Sequence, residues 1–181
     1  MESVSVSSYI TGLAASGPFK GLEEKLSLFG QFVGDWEIVE DRFFNEDGTE
    51  SVERGELHWR WILGGKAVQD VWMYRDKDTG RLVPAGTTVR FYDPGIDAWH
   101  SVWITPEALV VIPFIGRKSD DGILLEGTDS KGVSLKWSFS DIKADSFIWR
   151  GEESTDHWKT WQLKERMMIR RMSELSNLSK S

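Results

Sequence analysis

Cysteine is absent from this 181-residue chain, and histidine occurs only at His58, His100 and His157. Without thiols the protein can form no disulfide framework, no thiolate zinc site and no cysteine nucleophile. The three histidines are far apart in sequence, which argues against a histidine-rich metal site. We therefore expect neither a metal nor a cofactor.

Basic residues are also fewer than acidic ones. The chain has 22 Lys and Arg and 29 Asp and Glu, which gives a formal net charge of -7. This charge argues against binding to nucleic acid or to an anionic membrane. No run is apolar and long enough for a signal peptide or a membrane span, so a cytoplasmic location is the default expectation. The polar, Ser-rich ends, residues 1–20 and 173–181, are expected to be flexible tails around one domain at 21–172.

Tryptophan, in contrast, is abundant, with ten Trp beside nine Phe and three Tyr. A chain of this length can bury a single core. The sequence must therefore place an unusual number of large indole side chains in a small acidic domain.

One helix is predicted over 21–32, where apolar residues recur at spacings of four and three. Beyond it, ten runs typical of strands are separated by turn residues. The runs cover 36–44, 53–63, 67–74, 86–92, 98–104, 108–114, 122–128, 133–139, 146–152 and 158–172. No helical crossover separates them, which excludes a parallel α/β sheet. A meander of this length loses its free edges by closing, so we predict an all-β, closed antiparallel barrel with an N-terminal capping helix.

Alternation along the strands places most tryptophans on the inner face. In the second run, for example, Trp59 and Trp61 alternate with the polar His58 and Arg60. The residues expected to line the interior and bind a ligand are Trp59, Trp61, Trp72, Tyr74, Phe91, Trp99, Trp103, Trp137, Trp149, Trp161 and Glu165. The alternative is that the indoles simply fill a solid barrel.

Three acids fall on the same inward parity, namely Glu165, Asp70 and Glu40. A carboxylate inside an apolar barrel is unfavourable unless it meets a partner, a water or a ligand. Such a group would bind an amine or act as a general acid or base, which makes Glu165 and Asp70 the candidate catalytic residues. The alternatives are an internal salt bridge to Arg60, Arg90 or Arg150, or an incorrect assignment of the inward parity.

The triplet Gly34-Asp35-Trp36, directly after the helix, resembles the Gly-x-Trp element that opens lipocalin-type barrels. In that family the Trp closes the barrel base, and a basic residue near the last strand packs across it. The resemblance implies this role for Arg170 or Arg171, and strand parity favours Arg171.

A wider resemblance, over about residues 29 to 171, is to a bacterial lipocalin-like family of unknown function. The segments that carry it are 32–36, 61–72, 90–93, 137–142, 146–151 and 160–161. It implies a calycin-like barrel and identifies no catalytic residues. The chain departs from the family at Asp156-His157-Trp158, where a turn with glycine is expected.

Three functions remain open from the sequence. The first is binding of a small hydrophobic, aromatic molecule inside the barrel. The second is a cofactor-independent isomerase, cyclase or lyase that acts on a hydrophobic metabolite through an inward Glu or Asp. The third is a solid-core interaction module, and a homodimer is an open alternative for the assembly.

Overall fold

Ten consecutive strands close into a barrel in this protein, for which the computed structural model describes residues 6–173. In chain order the elements are α1 (Val6–Leu13), β1 (Ala14–Ala15), α2 (Glu23–Gly30), β2 (Gly34–Phe44), β3 (Glu50–Ile62), β4 (Ala67–Arg75), β5 (Leu82–Asp93), β6 (Ala98–Thr105), β7 (Val110–Ser119), β8 (Gly122–Thr128), β9 (Ser134–Ser140), β10 (Ser146–Ser154) and β11 (Gln162–Arg171). From β2 onward each strand pairs antiparallel with the next, and β11 pairs back with β2. The predicted all-β meander barrel is confirmed.

Side-chain alternation sorts each strand into an inner and an outer face. On β9, Leu135 and Phe139 are buried in the interior. The intervening Lys136 points outward, where its Nζ lies 3.3 Å from a carboxylate oxygen of Glu152 on β10. The apolar core is therefore the inside of the barrel itself.

Helix α2 closes one end of the barrel, as the apolar spacing of residues 21–32 predicts. Its Leu26 and Phe29 are fully buried, and the Phe29 ring centroid lies 4.9 Å from that of Trp99 in an edge-to-face contact. Trp61 lies directly against Gly30, where any larger residue would collide with the indole. The end covered by α2 is called the base below, and the opposite end is called the mouth.

The N-terminal segment predicted to be a flexible tail contains helix α1 and strand β1. Ala14 and Ala15 pair with Ile62 and Trp61 at the end of β3, beyond the point where β2 begins. The predicted tail residues 1–5 and 174–181 lie outside the described part of the chain.

The last strand begins at Gln162 rather than at the predicted residue 158, because the preceding residues form a loop around the Asp156 carboxylate. This carboxylate accepts hydrogen bonds from the Thr160 side chain and backbone and from Ser154, which hold its pKa well below the ordinary value. His157 and Trp158 adopt φ angles of 57° and 70°, in the left-handed region that favours glycine. The aspartate thus stabilises a turn that lacks the glycine expected from the family resemblance.

Trp36 and Arg171 tie the first barrel strand to the last at the base. The Arg171 guanidinium carbon lies 4.0 Å from the centroid of the Trp36 ring. The same guanidinium donates to the carbonyl oxygens of Val33, Gln31 and Ala144 at 3.0, 2.9 and 2.8 Å. The prediction that Arg171 rather than Arg170 packs across Trp36 is confirmed.

We predict that Arg171→Lys destabilises the protein by about 1–3 kcal/mol, because lysine cannot stack flat on the indole and donate to three carbonyls at once. The matched control is Arg170→Lys, since Arg170 is exposed and, among residues 6–173, forms its ion pair with Glu37 alone, at 3.2 Å. Urea unfolding measures both changes. Equal stability of the two variants would contradict the role assigned to Arg171.

Candidate functional site

A cavity of about 110 Å³ lies inside the barrel between the base and the mouth. Its walls carry the indoles of Trp59, Trp72, Trp103, Trp137 and Trp149. Its polar lining consists of Asp70, Thr88, Arg90 and Glu165. An engineered apolar cavity of about 150 Å³ binds benzene, so the space here approaches the volume that one small ring occupies.

Four of the indoles form a continuous aromatic wall across β4, β6, β9 and β10. Ring centroids lie 6.1 Å apart between Trp72 and Trp103, 6.0 Å between Trp103 and Trp137, and 5.2 Å between Trp137 and Trp149. The contacts to Trp137 are edge-to-face, the arrangement that aromatic quadrupoles prefer. A planar ligand in the cavity would therefore meet both ring faces and ring edges.

Two glycines make room for this wall. A side chain on Gly86 would collide with the Trp103 ring, and one on Gly151 would collide with the Trp149 ring. Glycine inside a strand is unfavourable for β-structure unless something approaches the backbone closely. Glycine at these two strand positions is a sequence signal for the aromatic wall. Side-chain alternation alone does not reveal this wall.

The remaining predicted tryptophans lie above or below the cavity. Trp61 and Trp99 pack against α2 in the base. Trp161 lies at the mouth, with its ring 5.2 Å from that of Trp158 and the Lys136 Nζ 4.2 Å from its centroid. These three side chains are therefore part of the barrel ends and not of the cavity wall.

Phe91 and Tyr74, also predicted to line the interior, do not line the cavity. Phe91 is 46% exposed and stacks on His100 outside the barrel, with the ring centroids 5.0 Å apart. The physical reason is that Arg90 points inward, so alternation turns Phe91 outward. Tyr74 is half-buried near the mouth end of β4.

Arg90 and Asp70 form a buried ion pair on the cavity wall. The Arg90 Nη1 donates to the Asp70 carboxylate, and both side chains are almost completely buried. The guanidinium carbon also lies 4.5 Å from the Trp59 ring centroid. Burial lowers the pKa of Arg90, yet an arginine stays charged in proteins. Asp70 thus has the internal partner that the sequence left as one alternative.

A β-bulge in β2 reverses the expected orientation of two acids. The pairing of β2 with β3 shifts register between Ile38 and Asp41, so one extra residue interrupts the alternation. The expectation that Glu40 points inward is wrong, because its carboxylate lies on the outside, 3.1 Å from the Arg42 Nε. Asp41, which sequence reasoning missed, is instead buried at 1% exposure.

Asp41 and Glu165 interact as a pair of carboxyl groups beside the cavity. Neither Asp41 oxygen has a hydrogen-bond partner among the described residues that meets normal geometry. Burial raises the pKa of Asp41, the contact with Glu165 lowers it and the charge of Glu53 raises it, for a net pKa of about 7. Burial and the charge of Asp41 together raise the pKa of Glu165 well above its ordinary value. Near neutral pH the pair therefore carries at most one negative charge.

We predict that Asp41→Asn stabilises the protein at about pH 8 by on the order of a few kcal/mol and has little effect at about pH 4. Because the folded-state pKa of Asp41 is raised, ionisation favours the unfolded chain. The wild-type protein therefore loses stability as the pH rises from the unfolded value of about 4 through the folded value of about 7. Chemical unfolding at both pH values measures the difference.

Glu40→Gln is the control for this comparison, since Glu40 lies next to Asp41 in sequence but on the outer face. It should show no comparable gain at the higher pH. An Asp41→Asn effect of equal size at both pH values would contradict the raised pKa.

Residues 6–173 contain no group of three His, Cys, Asp or Glu side chains placed to hold a metal ion. In the same range, no helix combines the length and the apolar character that a membrane crossing requires.

No protein-family model matches the sequence, and no curated protein matches it significantly. Among solved structures, the fold is similar to that of the S-type phycobiliprotein lyase CPES from Guillardia theta, with a TM-score of 0.56 and 12% identity over 84% of this chain and 93% of that one. A de novo designed fluorescence-activating β-barrel has 18% identity over 79% of this chain and 94% of its own, and its TM-score of 0.34 is too low to support an argument. The lyase similarity establishes a shared barrel fold, which fits a lipocalin-like architecture. Membership of the bacterial family stays a prediction.

Proposed function

We propose that this barrel binds a small hydrophobic, aromatic molecule in the cavity lined by its tryptophans. The observation that carries the proposal is an aromatic-walled space of about 110 Å³ inside an otherwise packed core. Protein interiors contain few voids larger than a water molecule.

The polar groups of the cavity define how such a ligand is oriented. Arg90, Asp70 and Thr88 lie towards the base, and Glu165 lies towards the mouth, with the aromatic wall between them. Ligand sites of this kind combine apolar walls with a few polar groups that set orientation. We infer a ring-sized molecule that carries a polar substituent. The similarity to a phycobiliprotein lyase supports the fold assumed in this proposal and not the ligand.

The first test is a titration with toluene, a neutral probe of one ring, followed by calorimetry and by the intrinsic tryptophan fluorescence. We expect a saturable response from one site. Thr88→Leu fills the cavity and should weaken binding at least about tenfold, or 1.4 kcal/mol. Val111→Leu adds bulk on the outer surface, where Val111 is 61% exposed, and should leave the affinity unchanged.

A response that rises linearly without saturation, or that persists unchanged in Thr88→Leu, would contradict the cavity as the binding site. Circular dichroism of Thr88→Leu verifies that the variant is folded, so that lost binding is assigned to the filled cavity.

The natural ligand is sought by native mass spectrometry of the protein purified from its own host. We expect a retained small molecule in the wild-type protein and in Val111→Leu, and its loss from Thr88→Leu. Retention by all three proteins would place the molecule outside the cavity.

One observation favours a second candidate function, proton transfer to a bound substrate. Glu165 lines the cavity, and its raised pKa suits a general acid near neutral pH. Asp70 is a poorer candidate because Arg90 holds its carboxylate as an ion pair. Chemical conversion of the retained molecule by the wild-type protein, abolished in a Glu165→Gln variant that still binds it, would identify an enzyme.

A further inference from the structure

We propose that the Asp41–Glu165 pair makes the mouth side of the cavity selective for a cationic nitrogen, so that the preferred ligand is an aromatic amine. This inference rests on the proposed function, because it specifies the chemistry of the ligand in the same cavity.

The pair has no cationic partner among the described residues. The cations next to Asp41 and Glu165 in sequence are Arg42, Lys164 and Arg166. Each ion pair of Arg42 and Lys164 involves other carboxylates, and the charge of Arg166 lowers the pKa of the outward-facing Glu40. Arg42 contacts Glu40 and Glu50, and Lys164 contacts Glu46 and Glu153. Alternation and the bulge turn these cations to the outer face while Asp41 is buried. Glu165 lines the cavity and interacts with Asp41, so a positive charge in the cavity would meet a carboxyl pair that no ion pair of the described residues neutralises.

The environment of the Asp41 oxygens is a second argument for a positively charged ligand group. A buried carboxylate without hydrogen-bond donors is strongly disfavoured, and native proteins rarely leave one unexplained. Asp41 is 1% exposed, and apart from the contact with the Glu165 carboxyl its oxygens have no hydrogen-bond partner among the described residues. Glu53, on β3, adds negative charge to this region and is itself paired with Lys77 at 3.6 Å. An ammonium group supplies the donors and the charge that the pair lacks.

An indole lies beside the carboxyl pair. Gly151 on β10 is the pairing partner of Glu165, and the Trp149 ring lies over Gly151. The Trp149 ring is therefore next to Glu165 on the cavity wall, and Trp137 packs against it at 5.2 Å. Carboxylate oxygens combined with indole faces recognise ammonium groups, through ionic hydrogen bonds and cation–π attraction.

The opposite end of the cavity does not compensate for this charge. Arg90 is the cation of the lining, and Asp70 already neutralises it. When the Asp41–Glu165 pair ionises, the cavity carries a net negative charge. It should therefore favour cations, tolerate neutral rings and exclude anions.

Three probes of similar shape test this selectivity, namely benzylamine, benzyl alcohol and benzoate. At about pH 8 we expect the wild-type protein to bind benzylamine at least about tenfold more tightly than benzyl alcohol, and benzoate most weakly. Glu165→Gln and Asp41→Asn should reduce the preference for the amine to about twofold or less. Glu40→Gln, with its carboxamide on the outer face, should retain the full preference.

The wild-type protein alone gives a second readout that depends on no variant. A bound ammonium requires an ionised pair, so lowering the pH from about 8 to about 6, across the Asp41 value of about 7, should weaken benzylamine binding about tenfold. Binding of benzyl alcohol should stay nearly constant over the same range, since it needs no ionised pair.

The outcomes separate the two proposals. Equal, saturable binding of benzylamine and benzyl alcohol would overturn cation selectivity and leave the proposed function in place. A preference for the amine that survives in Asp41→Asn and Glu165→Gln would assign selectivity to other groups and overturn the inference. Failure of all the ring probes, toluene included, to bind would overturn the proposed function and the inference with it.

Discussion

The structure depends on filling the inside of a closed ten-strand barrel. Closure pairs the edge strands β2 and β11 and removes every free edge of the barrel, but it also creates an interior that must be occupied by side chains. Helix α2 fills the base with Leu26 and Phe29, and large indoles fill much of the rest. The cavity is the volume that remains between the base and the mouth.

Charged groups inside this interior are accommodated in two different ways. Arg90 and Asp70 neutralise each other, and the Trp59 ring lies against the guanidinium, so this pair is satisfied within the fold. Asp41 and Glu165 have like charge and can satisfy each other only by retaining a proton. The first pair is a stable part of the wall, whereas the second is left able to interact with a positively charged group.

Much of this fold is predictable because it follows from local patterns. Residues such as Leu135, Trp137 and Phe139 alternate with polar neighbours, which identifies a strand and its inner face without any tertiary information. Trp36 and Arg171 follow from the family resemblance together with strand parity. Phe91 shows the limit of this approach, because one inward arginine beside it reverses the orientation that its apolar character suggests.

The candidate site was less predictable, because it depends on interruptions of the pattern. Because of the bulge between Ile38 and Asp41, Asp41 rather than Glu40 lies on the inner face. No residue type in this segment predicts a bulge. Strand parity also overestimated how many tryptophans line the cavity, since Trp61, Trp99 and Trp161 lie at the barrel ends.

The sequence by itself determined the ten strands, their antiparallel order, the capping helix and the inward side of most tryptophans. These features depend on residue periodicity and turn composition, which are local properties. Only the tertiary structure decided which indoles surround empty space, that Arg90 is the partner of Asp70, and that Asp41 meets Glu165. These features depend on register, bulges and the distance between strands that are far apart in sequence, so they arise only when the barrel closes.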